Sequence, residues 1–184
     1  MNGLHTQMNQ DIEIAMALRP EQWVWDIRKE PEGLTIGGGK ARLLKCDRVL
    51  TVGTDMAVGK MSTSIELNRA SRIRGLRTKL IATGQTGLML GEDGVALDAV
   101  RVDYAAGAVE RCLTRNALGH DILFVEGQGS LLNPGSTATL PLIRGSQPTH
   151  LVLVHKANLG NIQHFPDFRI PPLREVVDLY ETVA

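Results

Sequence analysis

The chain has 184 residues, enough to bury a core of its own, so one principal domain is expected. Lys plus Arg and Asp plus Glu number 20 each, and that balance argues against nucleic-acid or membrane binding by counter-charge. The two cysteines, Cys46 and Cys112, have no metal-site spacing and make no disulfide framework, so both read as reduced thiols.

The polar start Met1-Asn2-Gly3-Leu4-His5 is no signal peptide, and no apolar run reaches transmembrane length. A soluble, cytoplasmic protein is therefore expected. Residues 9–18 carry apolar positions at helical spacing, and Pro20 ends that predicted helix. Val24-Trp25-Asp26-Ile27-Arg28 is a predicted short strand, with Trp23 and Trp25 read as a packing device. Residues 29–40, with Pro31 and Gly37-Gly38-Gly39, read as a connector.

Residues 49–63 are the most informative stretch. A β-branched apolar run, Val49-Leu50-Thr51-Val52, predicts a buried strand, and a glycine-bounded turn leads into a helix opened by Lys60. Strand, glycine loop, lysine and helix start in that order predict a phosphate-binding loop. Gly53 and Gly59 permit a tight turn, free helical N–H groups and the helix dipole favour an anion, and Lys60 supplies a mobile cation. The usual motif has four residues between its glycines and a hydroxyl after the lysine. Here five residues intervene and Met61 follows Lys60, with hydroxyls only at Ser62 and Thr63. A thioether is a poor ligand for magnesium, so phosphate binding is better supported than magnesium-assisted phosphoryl transfer. The plain alternative is a glycine turn with a solvated lysine.

Downstream, residues 60–74 form a predicted helix with Ile65, Leu67 and Ile73 on its apolar face and Gly75 as its stop. Residues 78–83 are the next strand, with Gly84-Gln85-Thr86-Gly87 as the turn at its end and residues 88–102 as a loop. A helix over 103–118 begins at Asp103, read as its cap. Residues 121–125 form an apolar strand running into Glu126-Gly127-Gln128-Gly129, and residues 150–154 form another that ends at His155. Residues 163–172 read as an ordered loop, with His164, Asp167 and Arg169 at the substrate entrance or merely packed there. Residues 173–183 form a closing helix.

This alternation predicts a doubly wound, mainly parallel α/β sheet with helices on both faces, of the P-loop NTPase type. Ligands in such sheets lie beyond the C-terminal strand ends. That rule gathers Thr54, Asp55, Lys60, Gln85, Thr86, Glu126, Gln128 and His155 into one crevice. Glu126 is a candidate general base or metal-holding acid, the plain alternative being hydrogen bonds to backbone N–H groups nearby. Asp55 lies inside the loop, where a carboxylate repels an anion unless it points away; it is a candidate to orient a substrate amine, ligate a metal or brace the loop. Gln85, Thr86 and Gln128 are neutral groups suited to a carboxylate or amide. His155 is a further acid–base candidate, and Asp98 and Asp103 are weaker ones.

Two stretches, Gly53-Thr54-Asp55-Met56-Ala57-Val58-Gly59-Lys60 and Val125-Glu126-Gly127-Gln128-Gly129, resemble the phosphate and acidic loops of dethiobiotin synthetase and related ATP-dependent ligases. That match stops at Met61, where those enzymes have threonine. A closer resemblance runs through Gly3-Leu4-His5, residues 53–63, Ala82-Thr83-Gly84-Gln85-Thr86-Gly87, residues 103–110 and 125–134, Gly145-Ser146-Gln147-Pro148 and Ile170-Pro171-Pro172-Leu173. It is to the P-loop family of D-glutamate N-acetyltransferase, whose members are similar in having methionine after the lysine. The resemblance implies transfer of an acetyl group from acetyl-coenzyme A to the amine of D-glutamate, in D-amino-acid catabolism. On that reading the residues gathered at the strand ends divide into a cofactor set, Gly53, Thr54, Ala57, Val58, Gly59, Lys60, Met61, Ser62 and Thr63, a substrate set, Gln85, Thr86 and Gln128, and catalytic candidates Glu126, Asp55 and His155, with no metal expected. The alternatives are a ligase or carboxylase of the dethiobiotin-synthetase type, with ATP and magnesium as its cofactor, and a non-catalytic nucleotide-binding domain. The resemblance also implies that residues 1–40 are the remnant of an N-terminal α/β domain plus a connector, and that 41–184 are a P-loop domain truncated at its C-terminus. Truncated edges expose apolar surface, so a homo-oligomer is one expected state.

Overall fold

Five parallel strands form the frame of the molecule, in the order β3-β2-β4-β1-β5. The computed structural model describes residue 8 and residues 11–184. Gly3-Leu4-His5 and the first two positions of the predicted 9–18 helix lie outside the described residues. The elements in chain order are α1 (Ile12–Ala17), β1 (Asp47–Gly53), α2 (Lys60–Ile73), β2 (Thr78–Ala82), α3 (Gln85–Met89), β3 (Asp93–Gly94), α4 (Val102–Asn116), β4 (Ile122–Val125), α5 (Thr139–Ser146), β5 (His150–Val154), β6 (Asn161–Ile162), β7 (Phe165–Arg169) and α6 (Leu173–Val183). Single 3-10 turns lie at Lys40–Leu43 and Leu97–Ala99.

The order of strands sets the faces. The chain steps one way from β1 to β2 through α2, and the other way from β3 to β4 and from β4 to β5 through α4 and α5. Right-handed crossovers then put α2 on one face and α4 with α5 on the other. Side-chain alternation along β1 agrees. Leu50 and Val52 join Val109, Leu113, Leu142 and Ile143 in the core, whereas the Thr51 hydroxyl meets the Ser64 hydroxyl of α2 at 2.9 Å. Every strand pair in this sheet is parallel, so β1, β2, β4 and β5 all deliver their C-terminal ends to one edge.

Several local expectations give way to tertiary context. The buried face of α2 is polar, with Lys60, Ser64 and Asn68 turned inward, while Ile73 is 76% exposed. The reason lies opposite: Ser64 pairs with Thr51 of β1, and the Asn68 side-chain carbonyl accepts from the Thr78 hydroxyl of β2 at 2.7 Å. The predicted strand at 24–28 is reduced to a single bridge residue at Trp25. Trp23 and Trp25 are not packed away; they are 68% and 41% exposed and line an open cleft with Ile14 of α1 and Leu18 just beyond it. Asp103 does not cap α4, since the helix starts at Val102 with Arg101 at the cap position. The predicted turn at 84–87 opens α3 instead, and the 88–102 loop contains β3 and a 3-10 turn.

The connector is held on the sheet by α4. Buried Glu110 accepts from the backbone N–H groups of Gly38 at 3.1 Å and Lys40 at 2.5 Å. At Gly107 the connector backbone passes so close that a Cβ would meet the carbonyl of Thr35. Gly107→Ala is therefore expected to cost about 1–3 kcal/mol through overpacking, read as a lower denaturant midpoint at unchanged slope; an unchanged midpoint would mean the connector is free to shift.

Candidate functional site

The loop between β1 and α2 is built by one buried carboxylate and two unusual backbone conformations. Ala57 has φ 55° and Gly59 has φ 106°, so the chain reverses hand twice before α2 begins. Such alternation turns successive N–H groups into a shared concavity that suits an anion. Among the described residues no protein acceptor meets the N–H groups of Ala57 and Gly59, whereas Met56 and Ala57 form a turn that directs the Val58 N–H at the Asp55 carbonyl. Those of Lys60, Met61 and Ser62 lie in the first turn of a 14-residue helix, where no intrahelical acceptor exists. They face a cleft of about 310 Å³ lined by Ala57, Gly59, Lys60, Met61, Ser62, Glu126 and Gln128.

Lys60 crosses the floor of this cleft. Its methylene stem runs between two glycines: a Cβ on Gly53 or Gly127 would lie 3.1 or 2.9 Å from the Lys60 Cδ. Its Nζ donates to the Asp55 carbonyl at 2.7 Å. Burial pulls the ammonium down to about 8, against the Asp55 and Glu126 carboxylates, which favour its charge. Its one hydrogen bond to a neutral carbonyl leaves two of its three N–H donors for a ligand.

Glu126 stands on the facing wall, at the end of β4. Its Oε2 accepts from the N–H groups of Thr83 at 2.9 Å and Gly84 at 3.3 Å, and its Oε1 accepts from Gln128 Nε2 at 3.3 Å. Burial pushes the carboxyl above its ordinary range, opposed by those two backbone N–H groups and by the Lys60 charge. The backbone-bonding role therefore exists, and Oε1, on the Gln128 side, retains accepting capacity.

The remaining candidates sort by distance from this cleft. Asp55 is fully buried and points away from it. Its Oδ1 accepts from the Met56 N–H at 2.7 Å and from Asn133 Nδ2 at 2.7 Å, and its Oδ2 accepts from the Gln163 N–H at 2.6 Å. This is the bracing arrangement, and it gives Asp55 no exposed oxygen for a substrate amine. Thr54 is also fully buried, and its hydroxyl lies 3.0 Å from His155 Nδ1, so that pair supports the loop from the β5 side. Val58 packs over Gly53. Thr63, whose N–H closes the first α2 turn on Gly59, lies with Ser62 along the outer surface of the helix. Gln85 and Thr86 occupy the first turn of α3 outside the cleft lining, half-buried and exposed respectively.

Three contributors were not foreseen. Asn133 and the Gln163 N–H complete the Asp55 brace, and Tyr180 of α6, 1% exposed, donates to the Gly53 carbonyl at 2.8 Å while accepting from the Leu131 N–H at 3.2 Å. A single phenol thus ties the phosphate loop to the segment beyond Glu126. The amphipathic pattern of 173–183 marks Tyr180 as core, but nothing local in the sequence marks its hydroxyl as a tie. Among the described residues no group of three or more His, Cys, Asp and Glu side chains is arranged to hold a metal ion. No described helix is long and apolar enough to cross a membrane.

A parallel α/β sheet carrying a strand–glycine loop–lysine–helix unit, with an acid on the neighbouring strand, defines a P-loop domain. More particularly, the chain belongs to the DUF1611 family: residues 35–184 match its model, described as a domain of unknown function (DUF1611_C) P-loop domain. A crystal structure of a DUF1611 family protein from Anabaena variabilis superposes with a TM-score of 0.97 at 62% identity, covering 100% of this chain and 53% of that one. A D-glutamate N-acetyltransferase of Tritonibacter scottomollicae is 36% identical over 180 residues, which are 97% of this chain and 53% of that protein. One of Pseudoalteromonas sp. is 34% identical over 181 residues, 97% and 54% of the two chains. The chain thus spans about half the length of the relatives it matches.

Two outcomes test this geometry. Tyr180→Phe leaves the Gly53 carbonyl and the Leu131 N–H unpaired in a buried place, and should cost about 1–3 kcal/mol in a denaturant titration and weaken pyrophosphate binding; equal stability and equal binding would deny the tie. Lys60 carries its charge below about 8 and loses it above. Pyrophosphate affinity, measured calorimetrically, should therefore fall as pH rises through that value, about tenfold per pH unit at most, and Lys60→Arg should flatten the fall. A profile unaffected by that substitution would remove Lys60 from the anion site.

Proposed function

We propose that this chain is the cofactor-binding half of an N-acetyltransferase that moves an acetyl group from acetyl-coenzyme A to the amine of D-glutamate. The names carried by the two bacterial relatives support the reaction class and the acceptor. The observation that carries the cofactor assignment is the composition of the cleft. The backbone N–H groups of Ala57, Gly59, Met61 and Ser62 and both the N–H and the ammonium of Lys60 meet at one end of it, and Met61 stands where an ATP-hydrolysing loop places its magnesium-binding hydroxyl. Such a cradle holds a diphosphate without any need to cleave it. Coenzyme A offers one, and the substrate-derived energy then resides in the thioester.

The facing wall supplies the proton chemistry. An α-ammonium must lose a proton before its nitrogen can attack, and a carboxylate whose burial raises its proton affinity is suited to take it. Glu126 Oε1, beside Gln128, is the acceptor in this reading. The freed nitrogen then bonds to the thioester carbonyl carbon as the carbon–sulfur bond breaks. Its second proton neutralises the departing thiolate, and the products are an N-acetylamino acid and free coenzyme A. Gln128, which bonds Glu126 and lines the cleft, is placed to orient the acceptor.

A thiol-release assay with acetyl-coenzyme A and either D- or L-glutamate, run beside phosphate release from ATP with magnesium, tests the reading. Thiol release dependent on D-glutamate and unaffected by chelation is expected. Lys60→Ala should raise the KM for acetyl-coenzyme A, and Glu126→Gln should lower kcat by about 100-fold or more with little change in KM. Magnesium-dependent phosphate release, or turnover of neither substrate pair, would overturn it, and an unchanged Glu126→Gln rate would remove Glu126 as the base.

A further inference from the structure

Immediately beside the phosphate cleft lies a second one of about 320 Å³, and the two share Met56, Gln128 and Gly129 as a common wall. Its character is different. Leu97, Val100, Val102, Ala105, Ala138 and Pro141 make most of its surface, with hydroxyls from Ser136 and Thr137 at one side. Among the described residues that line it there is no lysine or arginine; the ionisable side chain there is Asp98, which is ion-paired with Arg28. At the common wall Gly129 has φ 70°, and a Cβ there would run into the Ser136 side chain, so only backbone stands between the clefts at that point.

We propose that this second cleft takes the neutral, thiol-bearing arm of a coenzyme A thioester whose diphosphate lies against residues 57–62. The proposal rests on the cofactor reading above and assigns residues to a different part of the same ligand. A dicarboxylate acceptor does not fit the cleft: the Asp98 carboxylate already engages Arg28, and no lysine or arginine among the lining residues is there to offset the loss of water. An adenine base would find no aromatic face to stack on. A chain of methylenes interrupted by two amides fits both halves of the lining, its methylenes against the apolar wall and its amides against Ser136, Thr137 and Gln128. The volume falls at the lower end of the range of about 300–1,000 Å³ typical of small-molecule sites, as suits part of a ligand rather than all of one. The path from one cleft to the other crosses Gln128, the residue hydrogen-bonded to Glu126, so the arm passes beside the proposed base.

Calorimetric titrations of the chain with coenzyme A and with 3′-phosphoadenosine 5′-diphosphate, which lacks the arm, separate the two assignments. Wild-type protein should bind coenzyme A at least about tenfold more tightly, the worth of two buried methylene groups. Val102→Trp and Ala138→Phe each place an aromatic ring in the second cleft, and each should remove that margin while leaving the truncated nucleotide within about twofold of wild type. Val102 is 72% exposed, so its variant tests the cleft without loading the core. Equal wild-type affinity for the two ligands, or a margin that survives both substitutions, would overturn the second cleft and leave the phosphate assignment standing. Absence of binding by either ligand would overturn the cofactor reading, and this inference with it.

Discussion

The site depends on the burial of one carboxylate. Asp55 sits in the middle of a loop whose N–H groups line a cleft, and a carboxylate facing the same way would make that cleft hostile to an anion. The fold turns Asp55 inward and satisfies it with the Met56 N–H, the Asn133 amide and the Gln163 N–H. A buried charge without such partners would cost several kcal/mol, so these contacts fix the loop conformation as well as tolerate the residue. With Asp55 turned away, its own carbonyl is left to receive Lys60, and Ala57, Gly59, Lys60, Met61 and Ser62 line the cleft. Elements distant in sequence converge on this one group: the segment after β4 through Asn133, and the β6–β7 hairpin through Gln163.

Lys60 and Glu126 then form an opposed pair across the cleft, each perturbed mainly by burial. Lys60 is drawn toward its neutral form and Glu126 toward its protonated form, while each favours the charge of the other. An entering diphosphate would relieve Lys60 and oppose Glu126. The backbone bonds from Thr83 and Gly84 keep Glu126 in place as that balance changes. Tyr180 fixes the separation of the two walls, since its hydroxyl binds the loop at Gly53 and the acidic segment at Leu131.

The parallel frame was legible because buried parallel strands read as continuous apolar runs. Residues 49–52, 78–83, 121–125 and 150–154 overlap β1, β2, β4 and β5, and the rule of strand C-termini placed the phosphate loop and Glu126 at one edge. What failed did so where tertiary contacts outweigh local pattern. Helix α5 was hidden by Pro141, yet proline is tolerated in a first turn, where its missing N–H has no partner to lose. The hairpin β6–β7 was hidden by Pro166, which a two-stranded edge accommodates. Helix α2 turned its polar side inward because the sheet beneath presents threonines. The sequence left Asp55 open between orienting an amine, ligating a metal and bracing the loop, because its partners, Asn133 and Gln163, lie 78 and 108 positions along the chain and carry no local signal.

The central claim is that the backbone N–H groups of residues 57–62 enclose a diphosphate opposite Glu126. A titration of isotope-labelled protein with coenzyme A, followed through amide resonances, tests it most directly. The account predicts that the largest shifts fall on Ala57, Gly59, Lys60, Met61 and Ser62, with smaller ones at Gly127 and Gln128. Saturable binding that leaves those amides unmoved and shifts another surface would contradict it.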